Sequence, residues 1–382
     1  MALSRVVSQI VTGLLSASLV AMTLVDTSYA VSGLPNSSQF GYGARVDIWG
    51  QHAGYALTAA SGIGIDWIGI EFDWTRNWPE RGIAFQLEAL DAIMQSARQY
   101  QLNVLLSITN PPAWAMTLAG PEPNLTAELV TSLAQRYPDI LLAIEPFPYA
   151  NTVRGWGTLP NPAAYLEILK TGQAALQAIG SPVVLIAAGL APVLSGGISG
   201  DMDDLVFLES LYANGAATYT QIIGLRLYEI GCDPLTAPGG EPIVIRHYEQ
   251  VRSIMLKYGH KTGLIWITGF SWPTPDNRQR QQVCQGKPFP ASPAEQAKWI
   301  QQAYRLMKSQ LYIGVAFIDP LNPPASNNLL IPVSNALIRE DTSLHPVLVA
   351  YRDIIQTDRG NANGQVKTFL FKKMVSSIKK AP

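Results

Sequence analysis

Charge and cysteine are both scarce in this chain of 382 residues. Only 14% of the residues are Asp, Glu, Lys or Arg, against about 25% in an average soluble domain. The 27 basic and 28 acidic residues nearly cancel, which leaves a formal net charge of −1. A nucleic-acid-binding protein needs clustered Lys and Arg to offset phosphates, so this balance argues against one. Two cysteines are too few for a disulfide-rich scaffold or a four-cysteine zinc site.

Histidine is equally sparse, and its positions favour neither zinc chemistry nor a serine-hydrolase triad. No two histidines have the spacing of metal ligands, and the Gly-x-Ser-x-Gly turn of serine hydrolases is absent. We therefore expect no metal and no cofactor. The four histidines are His52, His247, His260 and His345.

The first thirty residues have the pattern of an export signal. Arg5 precedes a mostly apolar stretch from Ile10 to Val25, and Ser28–Ala30 (Ser-Tyr-Ala) resembles a cleavage site before Val31. Interspersed Thr and Ser favour a cleaved signal peptide over an uncleaved membrane anchor, which remains the alternative. No later stretch approaches the roughly 18 apolar residues that a membrane span requires. The sequence therefore predicts a secreted or extracytoplasmic protein.

The C-terminal segment is basic. No acidic residue follows Asp358, and Gly360–Gly364 resembles a linker. Such a tail is suited to contact with an anionic membrane surface or a protein partner, and a frayed terminus is the alternative. The predicted organisation is a signal peptide over residues 1–30, one folded domain over 31–358 and a tail over 359–382.

The middle of the chain alternates between two periodicities. Apolar or β-branched runs predict buried parallel strands, and helical spacing of apolar residues fills the intervals between them. Eight such units predict a single closed α/β (β/α)8 TIM barrel. A doubly wound sheet would carry a Gly-rich phosphate turn, which Gly50–Gly54 does not provide. The predicted strands are Ala44–Trp49, Trp67–Phe72, Asn103–Thr109, Leu141–Glu145, Val183–Ala188, Ile222–Tyr228, Leu264–Thr268 and Tyr312–Ile318.

Carboxylates and aromatic rings gather at the predicted strand ends, where such barrels hold their chemistry. Aromatic faces stack on the C–H surfaces of sugars, and paired acids cleave glycosidic bonds. Any single ring is better explained by packing in the barrel wall, and the joint pattern carries the prediction. The carboxylates are Asp47, Glu71, Asp73, Glu145, Glu229 and Asp319. The rings are Trp49, Trp74, Trp78, Trp114, Phe147, Tyr149, Trp156, Tyr228, Phe270 and Trp272.

The two cysteines follow neighbouring predicted strands. Cys232 comes after the sixth strand and Cys284 lies in the long loop after the seventh. Adjacent strands place both residues on the same face of the barrel. In an exported protein this arrangement predicts a disulfide rather than two free thiols.

Six segments in order resemble clan A glycoside hydrolases, most closely the β-xylosidase/iduronidase-like and cellulase-like families. The likeness spans roughly residues 40 to 357. The fourth strand of these families normally ends Asn-Glu-Pro, and the seventh normally reads Trp-Ile-Thr-Glu-Phe-Gly-Trp. The segments are Ile65–Trp74 with Pro79–Gly82, Leu105–Trp114, Tyr137–Pro146, Ile265–Trp272, Pro293–Ala297 and Leu344–Tyr351.

The resemblance implies a retaining mechanism with two glutamates about 5 Å apart, but key positions differ in this chain. The acid/base position falls on Glu145, whereas the nucleophile position falls on Gly269, which has no side chain. The Asn before the acid/base is Ile144, and the second-strand Arg that supports the nucleophile is Gly69. These joint changes imply that the retaining chemistry is lost.

The sixth strand also departs from the family pattern. Its usual His-x-Tyr is Arg226 followed by the retained Tyr228. An arginine here could pair with Glu145, which would lower the pKa of that carboxyl and weaken it as an acid.

Three functions remain open at this point. The first is a glycosidase-like barrel without the retaining mechanism, which binds an oligo- or polysaccharide or a partner. The second is an active glycosidase that uses Glu145 with a relocated carboxylate about 6.5–9.5 Å away. The third is a non-catalytic extracytoplasmic structural or accessory subunit. Candidate binding residues are Trp114, Trp156, Arg226, Tyr228 and Trp272, and candidate second carboxylates are Glu71, Glu229 and Asp319.

Overall fold

Within the described residues, eight parallel strands close a barrel, and one long helix follows each strand. The computed structural model describes residues 40–193, 200–228, 230–239, 243–272, 292–325 and 336–360, and the backbone of 282–284 and 287–289. The strands are β1 (Gly41–Val46), β2 (Trp67–Asp73), β3 (Asn103–Thr109), β4 (Leu141–Pro146), β5 (Val184–Leu190), β6 (Ile222–Leu227), β7 (Leu264–Phe270) and β8 (Ile313–Ile318). The predicted (β/α)8 barrel is confirmed.

The helices form the outer layer of the barrel. They are α1 (Ala53–Ile63), α2 (Glu88–Gln99), α3 (Pro123–Arg136), α4 (Pro162–Ala178), α5 (Asp204–Ala213), α6 (Tyr248–Lys257), α7 (Pro293–Lys308) and α8 (Pro346–Arg359). Their starts have physical causes in the sequence. At α7, for example, the Ser292 hydroxyl accepts the backbone N–H of Glu295 at 3.2 Å, and Pro293 fills the first helical position.

The first strand lies three residues earlier than the sequence predicts. A turn begins directly after it, because the Asp47 carboxylate accepts the backbone N–H of Trp49 at 2.8 Å. The side chain of Asn322 also bonds the Asp47 backbone on both sides, at 3.1 Å and 3.0 Å. The apolar residues after Asp47 therefore belong to a loop at the mouth of the barrel.

The barrel interior has an aromatic layer below a charged one. Trp67 of β2 and Trp266 of β7 meet edge to face with 4.9 Å between their ring centroids. Above them, Glu71, Ser107 and Glu145 stand in register on β2, β3 and β4. Residues in register on neighbouring parallel strands share a face, so these three polar side chains enter the barrel at one level near its C-terminal end.

The two ends of the chain lie mostly outside the described residues. The predicted signal peptide falls entirely there, and the predicted tail does so after Gly360, just past the end of α8 at Arg359. Both stay predictions. None of the helices in the described part of the chain is long and apolar enough to span a membrane.

Candidate functional site

A cluster of charged and polar side chains fills the C-terminal end of the barrel. Most members project from the strands themselves, and each is fixed by a neighbour on another strand. The cluster consists of Arg45, Glu71, Ser107, Glu145, Arg226, Tyr228, Thr268 and Asp319.

Glu145 is fully buried, and both of its carboxylate oxygens accept hydrogen bonds. Thr268 Oγ1 donates to Oε1 at 2.6 Å. Ser107 Oγ and Arg226 Nη2 donate to Oε2 at 2.7 Å and 2.8 Å. The ion pair expected between Arg226 and Glu145 is therefore present, and neither side chain has solvent-exposed surface.

Two glycines on neighbouring strands make room for this carboxylate. A Cβ atom at Gly189 of β5 would lie 2.4 Å from Glu145 Oε1, and one at Gly224 of β6 would lie 2.7 Å from it. Gly189 also has a φ of 45°, in the left-handed region that favours glycine. The carboxylate thus occupies space that side chains would otherwise fill, which directs it into the wall and away from the barrel mouth.

The electrostatic surroundings keep Glu145 ionised. Burial by itself raises the pKa of this carboxyl, but the positive charges of Arg226 and Arg45 and the hydrogen bonds from Thr268 and Ser107 outweigh it. The pKa of Glu145 lies below its ordinary value as a result. A general acid needs a pKa near the working pH and contact with the leaving group, so this environment is unfavourable for proton donation.

Tyr228 occupies the space beside Gly269 where the family nucleophile would begin. A Cβ atom at Gly269 would lie 2.1 Å from the Tyr228 hydroxyl oxygen. That hydroxyl donates to Asp319 Oδ2 at 2.5 Å. Asp319 is itself buried, and burial raises the pKa of its carboxyl. The Tyr228 hydroxyl is therefore engaged with Asp319 and not with Glu145.

Arg45 completes the cluster and was not among the residues predicted from the sequence. Its Nη1 donates to Ser107 Oγ at 3.3 Å and to the Thr268 carbonyl oxygen at 3.1 Å. The same nitrogen lies 3.0 Å from the position that a Cβ atom at Gly69 would take. An arginine of the first strand therefore fills the space beside Gly69, where the resemblance to the family expects an arginine of the second strand. The available signal was a charged residue between Ala44 and Val46 in an apolar strand.

Glu71 is the accessible carboxylate of the cluster. Its side chain is 47% exposed, whereas that of Asp319 is 5% exposed and that of Glu145 is fully buried. Arg226 Nη1 lies 2.8 Å and Arg45 Nη2 3.5 Å from Glu71 Oε1. Burial alone raises the pKa of Glu71, but these two arginines lower it below its ordinary value.

Asp47 and Asp73 have other partners and do not join the cluster. The Asp47 side chain holds the turn after β1, and Asp73 caps the short helix Trp74–Asn77 through the backbone N–H of Arg76. Glu229 lies outside the described residues.

The predicted sugar-stacking tryptophans lie in the segments that follow the strands, and they pack there against the protein. Trp156 is fully buried, and its indole N–H donates to the Ala119 carbonyl at 2.9 Å. Trp272 is 5% exposed and donates to the Cys232 carbonyl at 3.0 Å. Trp114 is half-buried and packs against Trp74 and other rings. Neither Trp156 nor Trp272 offers an open ring face, so packing explains these two positions.

The cysteine prediction falls partly outside the described residues. Cys232 is buried in the loop after β6. Cys284 belongs to a short hairpin, Gln282–Cys284 with Lys287–Phe289, whose side chains are outside the description. The disulfide stays a prediction.

Strained backbone surrounds the barrel mouth. Asn110 after β3, and Phe147 and Tyr149 after β4, have φ values of 49°, 51° and 64°. Residues held in this region concentrate at functional sites. The Tyr149 ring centroid lies 5.1 Å from the guanidinium carbon of Arg226, which also binds Glu71.

The histidines serve local structure. His247 pairs with the buried Asp204 at 2.6 Å, and His260 contacts the Tyr212 hydroxyl at 2.7 Å. His345 caps α8, and His52 contacts a backbone carbonyl at 2.8 Å. Among the described residues, no three His, Cys, Asp or Glu side chains are grouped as a metal site.

Compared by sequence alone, the chain matches neither a protein-family model nor a curated protein. Its structure is similar to a family 39 glycoside hydrolase from the gut symbiont Bacteroides cellulosilyticus, with 15% identity and a TM-score of 0.56 over 82% of this chain and 63% of that one. It is also similar to a family 5 subfamily 18 protein of Bifidobacterium longum in complex with Manβ1-4GlcNAc, with 12% identity and a TM-score of 0.58 over 84% of this chain and 79% of that one.

A glucosidase of Croceicoccus marinus gives 12% identity and a TM-score of 0.59 over 79% of this chain and 62% of that one. The chain thus spans under two thirds of the length of the family 39 protein and of this glucosidase. At these identities the likeness concerns the fold. The chain has the barrel fold of the clan A glycoside hydrolases.

Proposed function

We propose that this barrel does not cleave glycosides by the retaining mechanism and instead binds carbohydrate at its C-terminal face. The observation that carries the proposal is the state of Glu145, which is fully buried and accepts hydrogen bonds at both carboxylate oxygens. A catalytic acid must reach the glycosidic oxygen. A carboxylate held inside the wall by three donors does not reach a substrate in the mouth.

The nucleophile position supports the same proposal. Gly269 supplies no attacking atom, and the Tyr228 hydroxyl fills the adjacent space. Double displacement needs a carboxylate that forms a bond to the sugar and a second one that protonates the leaving group. Both roles lack an accessible group at the positions that the family uses.

The alternative of an active glycosidase with a relocated carboxylate has less support. An inverting enzyme needs two carboxyl groups that face a common space containing water. Glu145 and Asp319 are buried, and Glu71 is the accessible carboxylate of the cluster. Two arginines lower the pKa of Glu71, so it is suited to accepting hydrogen bonds and poorly suited to donating a proton.

Carbohydrate as the ligand is supported by the mouth and by the structural neighbours. Glu71 offers a carboxylate on a half-exposed side chain near the Tyr149 ring, which is an arrangement that suits sugar hydroxyls. One structural neighbour holds a disaccharide. No described contact favours the alternative of a structural or accessory subunit, in which the face would contact a protein partner.

The location of the protein belongs to the same proposal. We expect cleavage after Ala30 and export, with the segment 359–382 contacting an anionic membrane surface or a protein. N-terminal sequencing of protein recovered from outside the producing cells tests the cleavage. Protein that keeps Met1 and stays with the membrane fraction would contradict it and favour the membrane anchor.

The decisive experiment combines hydrolysis and binding assays on one panel of aryl glycosides, oligosaccharides and polysaccharides. The wild type should bind at least one neutral glycan and hydrolyse none. Glu145→Gln and Gly269→Glu should also show no turnover, and circular dichroism would establish that each is folded. Wild-type turnover that disappears in Glu145→Gln would overturn the proposal in favour of an active glycosidase. Failure of the wild type to bind any glycan would favour the accessory-subunit alternative.

A further inference from the structure

We propose that Trp49 is the sugar-stacking platform of the barrel mouth and that Arg76 covers its ring until a neutral pyranose displaces it. The inference rests on the proposed carbohydrate binding and deepens it by naming the platform, its cover and the class of sugar. Trp49 lies on the loop after β1, and Arg76 lies in the short helix after β2. Both therefore belong to the C-terminal face.

The backbone that carries Trp49 is firmly held. The Asp47 carboxylate accepts the backbone N–H groups of Trp49 and Gly50 at 2.8 Å and 3.0 Å, and its second oxygen accepts that of Ala325 at 2.8 Å. The buried Asn322 amide adds hydrogen bonds to both sides of Asp47. A ring carried on such a turn loses little conformational freedom when a ligand stacks on it, which favours binding.

Arg76 has a single described partner for its side chain. Its guanidinium carbon lies 3.6 Å from the centroid of the Trp49 ring, in direct cation–π contact. In the described part of the chain, that guanidinium has neither a carboxylate nor a carbonyl partner, although the residue is exposed. Its backbone is fixed by the Asp73 carboxylate at 2.9 Å, so the side chain can move while the helix stays in place. Arg76 is therefore a weakly held cover on a rigid platform.

The indole N–H of Trp49 gives an independent indication of a ligand. This donor is buried and has no hydrogen-bond acceptor among the residues that the structure describes. Burying a donor without an acceptor is unfavourable, and native proteins do so rarely. A sugar that replaced Arg76 on the ring could bring a hydroxyl oxygen to this N–H group. Stacking and the missing acceptor would then be supplied by the same ligand.

A neutral sugar fits this platform better than an acidic one. The face of an indole ring is electronegative, which is why a guanidinium binds there. The polarised C–H bonds of a pyranose meet the same face favourably, whereas a carboxylate would be repelled by it. The ligand class is therefore a neutral glycan with at least one exposed pyranose face.

The cover can be tested without any ligand. Oxidative footprinting with peptide mass spectrometry measures the reactivity of each tryptophan. Arg76→Ala should raise the oxidation of Trp49 severalfold and leave the fully buried Trp156 unreactive. Arg81→Ala is the matched control, because Arg81 is also exposed in the segment that follows β2. Equal Trp49 oxidation in the wild type and Arg76→Ala would overturn the covering role.

The platform is tested by titrating neutral cello-, xylo-, manno- and laminari-oligosaccharides into the wild type and its variants by calorimetry. Arg76→Ala should bind about two- to fivefold more tightly, which is the factor that an exposed cation–π contact represents. Trp49→Ala should bind about tenfold or more weakly, and Trp49→Phe should recover part of the loss. Arg81→Ala should match the wild type.

The outcomes separate this inference from the function on which it rests. Wild-type glycan binding that is unchanged in Trp49→Ala would overturn the platform and leave carbohydrate binding intact. Weaker binding in Arg76→Ala would make Arg76 a ligand contact and overturn its role as a cover. The absence of glycan binding in both the wild type and Arg76→Ala would overturn the proposed function together with this inference.

Discussion

We expect Glu145→Gln to destabilise the folded protein by about 3–5 kcal/mol, because it removes one charge of a fully buried ion pair. Glutamine keeps the volume of the side chain, so the space between Gly189 and Gly224 stays filled. The buried guanidinium of Arg226 then loses its buried negative partner, the Glu145 oxygen at 2.8 Å, and keeps the half-exposed Glu71 at the same distance. All three groups around the carboxylate donate to it in the wild type, so the amide nitrogen of glutamine fits only where a hydroxyl turns to accept from it.

Glu71→Gln is the matched control, because Glu71 pairs with the same arginine at the same distance of 2.8 Å. Its side chain is 47% exposed, so water screens the pair and can replace the lost contact. Exposed ion pairs contribute at most about 1 kcal/mol, and the control should lose no more than that. The difference between the two variants isolates the effect of burial.

Urea unfolding followed by circular dichroism measures both changes, and thermal unfolding should show a Tm lower by roughly 5–10 °C in Glu145→Gln. A loss of unfolding free energy below about 1 kcal/mol in Glu145→Gln would refute the reasoning, since that is the loss expected for a solvent-exposed carboxylate. The carboxylate of Glu145 would then be open to substrate, and its role as an acid would return to consideration. A large loss in both variants would show that charge rather than burial governs the cluster.

Three further predictions concern pH, close packing and the cysteines. The pKa of Glu145 is lowered in the folded state, so this carboxylate stabilises the fold above its ordinary pKa and ceases to do so as the pH falls through the folded-state pKa. Urea unfolding between pH 7 and pH 3 should therefore show a smaller loss of stability at acid pH in Glu145→Gln than in the wild type. Gly189→Ala should lower the free energy of unfolding by about 3 kcal/mol in the same assay at pH 7, because alanine disfavours the positive φ of this position and the alanine Cβ would lie 2.4 Å from a Glu145 carboxylate oxygen. A loss below about 1 kcal/mol would contradict the close packing. Thiol titration of the unreduced, denatured protein should find no free thiol from Cys232 and Cys284, and two free thiols would contradict the disulfide.

The sequence predicted the barrel well because its signals are periodic. Buried parallel strands are continuous apolar runs, and the helices repeat apolar residues on one face, so errors at single positions average out. The first strand was misplaced because Ile48 and Trp49 continue an apolar run that Asp47 in fact ends. One side chain that bonds the backbone two residues later produces no periodic signal.

The candidate site was predicted only in part, since its decisive features are contacts between distant strands. The resemblance identified Glu145, Gly269 and Arg226, and the expected Arg226–Glu145 pair is present. The burial of Glu145 depends on glycines at 189 and 224, which have no local relation to it in sequence. Local patterns in a single sequence carry no signal for such a dependence between positions that are far apart in the chain.

The aromatic residues show the same limit in another form. A tryptophan that follows a strand gives the same sequence signal whether its ring lines an open cleft or packs inside the protein. Trp156 is buried because its indole N–H finds the carbonyl of Ala119 in a neighbouring loop. Trp49 is half-buried, and in the described part of the chain the exposed Arg76 lies over its ring. Loop packing decides between these outcomes, and periodicity carries no information about it.

The glycine at position 269 and the buried charge cluster are physically connected. A glutamate at Gly269 would meet the Tyr228 hydroxyl and place a further carboxylate near Asp319, so the present packing resists it. Restoring that residue alone would also leave Glu145 bound to Arg226 inside the wall. Freeing Glu145 would remove the buried partner of the Arg226 guanidinium and leave it the half-exposed Glu71, which is unfavourable. Each restoring substitution is therefore opposed by its neighbours, whereas ligand binding at the rim requires no change in the cluster.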